Sequence, residues 1–102
     1  MSLSKRYLKT RPQCKVTFRI PREACNSARK ITLAGDFNSW KTDSLPMKQL
    51  KSGDFTLTLD LPTEHSYQFR YLYDGQIWEN DWEADDYMPS GVGDTENSVV
   101  VV

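Results

Sequence analysis

Five carboxylates crowd one short stretch of this 102-residue chain: Glu79, Asp81, Glu83, Asp85 and Asp86. Two paired carboxylates can cleave a glycosidic bond, one as acid and the other as base or nucleophile. Nothing nearby in the sequence would raise one of these groups into the range of a general acid, so the stretch reads as a solvated acidic loop. As a calcium site it lacks the glycine and closing glutamate of an EF-hand loop. His65, the only histidine, sits beside Glu64 at the entrance to an alternating segment and reads as a surface residue. Cys14 and Cys25 without clustered histidines make no zinc site. No catalytic residue, metal or cofactor is expected.

The tryptophans are the second group able to do chemistry. Trp40 and Trp78 each fall just past a turn, outside the alternating register of the core. A flat indole can pack against the C–H face of a sugar while neighbouring Asn, Arg, Lys and Gln side chains meet its hydroxyls. Each could equally close the rim of a small core, and composition alone leaves both readings open. With three Trp, five Tyr and four Phe in so short a chain, some aromatic surface is expected to be exposed.

The elements that must hold these residues read as strands. Val16, Phe18 and Ile20 share one face against Lys15, Thr17 and Arg19, and Pro21 stops the strand. Ile31 and Leu33 make the next inward pair, ended by Gly35. Asp36–Trp40 is turn chemistry with two aromatics embedded in it. Met47 and Leu50 anchor a connecting segment, and Phe55–Leu59 alternates cleanly. Tyr67, Phe69, Tyr71 and Tyr73 alternate with Gln68, Arg70 and Leu72 before Asp74-Gly75, a strong hairpin signal. An irregular acidic stretch follows from Glu79 to Gly93, and Val99–Val102 closes the chain as a buried strand. There is no sustained helical periodicity and no internal repeat. The reading is an all-β antiparallel sandwich, with residues 1–13 as a polar lead-in and 14–102 as one module.

Length and composition bound what such a module can be. One hundred and two residues bury one modest core, with no second lobe to close a cleft. Hydrophobic residues at 38% and charged residues at 26% fit an ordinary globular chain. A net charge of −1 with no long basic run argues against nucleic acid, the Lys5–Arg11 stretch reading as a solvated tail. No apolar run reaches membrane-spanning length and Met1–Arg6 lacks a signal-like segment, so the expected location is cytoplasmic. In a hairpin of residues 14–20 with 29–34, Cys14 and Cys25 would lie on the order of 20 Å apart, too far to bridge. Both are expected to be free thiols.

Four ordered motifs then carry a resemblance: Leu33-Ala-Gly-Asp-Phe-Asn-Ser-Trp40, Phe69-Arg-Tyr-Leu-Tyr-Asp-Gly75, Trp78-Glu-Asn-Asp81, and Gly93 through Val101. Together they resemble the glycogen-binding, family 48 type of carbohydrate-binding module. This is the early-set immunoglobulin-like domain found before the barrel of isoamylases and glycogen branching enzymes and in the β subunit of AMP-activated protein kinase. The resemblance covers roughly residues 14–102. It implies that Trp40 and Trp78 stack on glucose, with Ile77 as a one-residue insertion before the second platform. Arg70 stands where kinase-type modules carry Lys, and Asn97 and Thr95 hold the polar positions of the closing strand. Val92 is the nearest match to an apolar residue that probes the glucan helix. Where isoamylase-type members often have Pro after Asn-Asp, this chain has Trp82, which either adds a third aromatic contact or, the preferred reading, caps the sandwich. Phe37 and Phe69 are expected to point into the core, and Gly35 to relieve a backbone constraint.

The expected function is non-catalytic binding of α-1,4-linked glucan, glycogen or starch, on an exposed tryptophan platform. Isoamylase-type copies of the fold do not all keep a sugar site. The alternative is a docking module for a glycoside hydrolase or a regulatory kinase, with the aromatic patch as a protein interface. Indoles coplanar or gently angled in the open favour sugar; Trp40 buried in an interdigitated apolar surface favours a protein partner. A stand-alone hydrolase is disfavoured because the chain lacks the catalytic barrel of the families it resembles.

Overall fold

The computed structural model describes residues 3–91 and 93–102. It is an antiparallel β-sandwich. One sheet holds β1 (Leu3–Tyr7), β2 (Gln13–Ile20), β5 (Phe55–Pro62) and the short β4 (Lys48–Gln49), in the order β1-β2-β5-β4. The other holds β3 (Ile31–Gly35), β6 (Ser66–Tyr73), β9 (Glu96–Val101) and β8 (Asp86–Pro89), in the order β3-β6-β9-β8. A three-residue strand, β7 (Ile77–Glu79), pairs with the second half of β6. Because β9 takes the first half of β6, two strands hang on β6 in succession.

Period-two alternation explains the core. Val16, Phe18 and Ile20 of β2 lie opposite Leu59, Leu57 and Phe55 of β5. They meet Ile31, Leu33, Phe69, Tyr71 and Val100 from the second sheet in one buried cluster. Phe18 and Phe69 contact edge to face with ring centroids 5.2 Å apart. Phe37 packs partly buried on both, as expected. The hairpin signal is also borne out: Asp74 and Gly75 have φ of 52° and 69°, the left-handed pair of a tight β6–β7 turn. The Asp74 carboxylate accepts the backbone N–H of Arg29 and Lys30, tying the turn to the segment that leads into β3.

Four expectations change. The segment read as a loose lead-in contains β1, paired with β2 from Leu3↔Phe18 to Tyr7↔Cys14. Its only buried apolar side chain is Leu3, so a largely exposed edge strand shows little alternation. Residues 14–20 and 31–35 form no hairpin. They belong to opposite sheets, and both thiols are free and buried. The acidic stretch is not wholly irregular, because it contributes β7 and β8. Trp82 does not cap the sandwich; it stands 46% exposed.

Candidate functional site

The outer face of the second sheet carries the residues of interest. Side chains directly opposite one another in antiparallel strands share a face. Leu72 of β6 lies opposite Thr32 of β3 and Trp78 of β7, and Arg70 lies opposite Ala34. Leu72 is buried yet outside the central core cluster, opposite Trp78 on this second surface. A cleft of about 440 Å³ is lined by Trp40, Arg70, Trp78, Ser90, Thr95 and Asn97. Five of the six residues expected at the site therefore converge. The sixth, Val92, lies outside the described residues.

The turn after β3 sets the first indole. Gly35 is extended, so its need for glycine is spatial: an added Cβ would come within 2.5 Å of the Gln68 carbonyl and 2.8 Å of Phe69 Cβ. Asn38 Oδ1 accepts the Gly35 N–H at 3.0 Å, and its Nδ2 donates to Ser44 Oγ and to the Lys41 carbonyl. Ser39 and Trp40 then both take left-handed backbone, with φ of 57° and 59°. That conformation costs a side-chain-bearing residue roughly 1–2 kcal/mol, and a bulky residue there is an outlier that its surroundings must enforce. Here the enforcement is visible. The Trp40 N–H donates to the Gly35 carbonyl at 2.9 Å, and its indole Nε1–H donates to Asp36 Oδ1 at 3.0 Å. The second oxygen of Asp36 accepts the backbone N–H of Gln68 at 2.8 Å.

Trp40 is half-buried, while Trp78 is 42% exposed. Their ring centroids are 6.5 Å apart and their planes cross at 60°. The pair is thus neither coplanar in the open nor sunk in an interdigitated surface: two indoles in edge contact present faces at an angle.

A polar ladder adjoins them. Arg70 Nε donates to Asn97 Oδ1 at 2.6 Å, and Asn97 Nδ2 donates to Gln68 Oε1 at 3.0 Å. Asn97 is only 8% exposed. Among the described residues the terminal guanidinium nitrogens of Arg70 meet no acceptor, so the donors left for a ligand are on the arginine more than on the asparagine. The Thr95 and Ser90 hydroxyls hydrogen-bond to each other at the cleft's far wall. Ser90, Gln68 and Asp36 were not legible as site residues, since only the cross-strand register and the turn bring them there.

The acidic stretch needs a correction at one residue. Asp81 is buried at 1% exposure, not solvated. It accepts the Tyr71 hydroxyl at 2.7 Å and the Glu83 N–H at 2.8 Å, and its own N–H donates to Ser98 Oγ. Asn80 accepts the Ser98 N–H and donates to the Glu96 carbonyl. Asn80 and Asp81 thus tie the end of β7 to β9, fixing Trp78 relative to Asn97. Burial, helped by the Asp81 charge, pushes the Tyr71 phenol well above its ordinary range. Neither Tyr71 nor Asp81 faces the cleft. Among the described residues no group of three or more His, Cys, Asp or Glu side chains is placed to hold a metal.

A comparison with curated proteins found no match. A family model described as the glycogen recognition site of AMP-activated protein kinase matches residues 23–102, which takes in every lining residue of the cleft and the whole of the second sheet. With that match over most of its length and an antiparallel sandwich to go with it, the chain belongs to this glycogen-recognition family of carbohydrate-binding modules.

Proposed function

We propose that this module binds α-1,4-linked glucan of the glycogen and starch type and catalyses no reaction. The observation that carries the reading is the convergence of Trp40, Trp78, Arg70, Thr95 and Asn97 on one open cleft. Glucose rings pack their C–H faces on the indoles, and the free guanidinium nitrogens of Arg70 donate to ring hydroxyls. Successive units of an α-1,4 chain turn relative to one another, and indole planes crossed at 60° suit that turn better than a flat pair would. Replacing the Lys of kinase-type modules by Arg70 keeps the charge but supplies a planar fork already oriented by Asn97. An open cleft leaves most of a short sugar hydrated, so affinity for short oligosaccharides is weak and grows with chain length.

The test is retention on insoluble starch or glycogen, comparing the wild type with Trp40→Ala and Trp78→Ala, each checked for folding by circular dichroism. Wild-type retention that both folded variants lose supports the reading. Failure of the wild type to be retained overturns it and turns attention to the cleft as a protein interface.

A further inference from the structure

The row of outward side chains that holds Arg70 and Asn97 does not stop at β9. Met88 of β8 lies directly opposite Asn97. Directly opposed residues in antiparallel strands project from the same face with Cβ atoms about 5 Å apart. The Asn97 side chain points toward Arg70 and Gln68 on the outer face, so Met88 stands on that face too, beyond the asparagine. It is 44% exposed and lies two residues before Ser90, a wall of the cleft. One residue pair along the strands, Gln68, Val99 and Asp86 make the neighbouring row. Val99 in that row is buried although it is outside the central core cluster, so the surface beside Met88 is packed and apolar beneath. Neighbouring strands lie about 4.8 Å apart. From Arg70 through Asn97 to Met88 the face therefore spans two strand spacings, about 10 Å.

We propose that a bound glucan chain continues across Asn97 onto Met88, which serves as an apolar contact for glucosyl units beyond those held by Trp40 and Trp78. An unbranched, polarisable thioether suits this position, since it can follow the ridged C–H face of a sugar whose orientation varies along the chain. The inference rests on the glucan reading above and adds a prediction about chain length: Met88 matters only to ligands long enough to reach it.

The experiment is a titration of the whole chain, followed by backbone amide chemical shifts, with maltotriose and with maltoheptaose. Met88→Ala is expected to weaken maltoheptaose by about five- to tenfold, the scale of burying part of one apolar side chain, and to leave maltotriose unchanged. Met88→Leu, which keeps the apolar reach, is expected to keep the wild-type preference for the longer sugar. An unchanged affinity for both sugars in Met88→Ala overturns the proposal. So does an equal loss for both, which would place Met88 behind Asn97 as a support. If the wild type binds neither sugar, the glucan reading itself falls and the extension with it. That outcome is distinct, because in the others the wild type binds.

Discussion

At the scale of single residues, Asp36 shows how a side chain that need not touch a ligand can decide whether a site exists. Its two oxygens face two donors, the Trp40 indole N–H and the Gln68 backbone N–H. Asparagine offers one acceptor and would oppose the other donor with its own NH₂ group, so only a carboxylate of this length serves both. Asp36→Ala is expected to cost about 1–2 kcal/mol of stability, to raise the accessibility of Trp40 to a fluorescence quencher, and to weaken glucan retention. Retention equal to wild type in folded Asp36→Ala would show that the indole holds its place without the carboxylate. Nothing in the sequence singles Asp36 out from an ordinary turn aspartate. The indoles were legible because their type is rare and their position falls outside the core alternation. The groups that aim them were not, because their roles depend on which backbone passes three dimensions away.

At the scale of elements, the same contrast recurs. β2 and β5 were legible from alternation between a core face and a more exposed one, and β6 from its alternating aromatics, although its second half is buried on both faces. β1 and β8 were not. Both are edge strands of largely charged or exposed residues, and their identity rests on backbone pairing that alternation does not report. The connection between β7 and β8 is the element that the acidic composition concealed. Asp81 within it is a structural acceptor at the bottom of a buried knot. Asp81→Ala leaves the buried Tyr71 hydroxyl without its partner and is expected to destabilise the fold by about 2–3 kcal/mol, read as a lowered urea midpoint. Adding Tyr71→Phe removes the orphaned hydroxyl and should restore part of that loss. If the single variant unfolds at the wild-type midpoint, the knot does not hold the loop.

The whole molecule carries a pH response set by its buried phenols. Burial pushes Tyr73 up from 10.0 to about 12, with smaller contributions from Cys25, Glu79 and Asp81, and also raises Tyr71 well above its ordinary value. Between the unfolded value near 10 and the folded value, the unfolded chain releases protons that the folded chain retains. Stability supplied by these phenols is therefore complete below pH 10 and falls as pH rises beyond it. On the acid side, the Arg19 hydrogen bond and then the Arg22 backbone N–H hold Asp54 below its ordinary 3.8. The stability it adds is present above that value and lost as pH falls through the lowered one. Denaturant midpoints should hold level through neutrality and decline at both extremes, more steeply on the alkaline side. A midpoint unchanged well above pH 10 would mean that the phenols ionise without opening the core.

The contact between Trp40 and Trp78 has an optical consequence. Two identical chromophores 6.5 Å apart, with planes crossed at 60°, do not absorb independently. Their transition dipoles couple, and a non-parallel coupled pair gives the two-signed couplet of exciton circular dichroism. The couplet belongs to the pair and vanishes when either partner is replaced. Its amplitude changes with any ligand that alters their angle, so the cleft carries its own unlabelled gauge of occupancy.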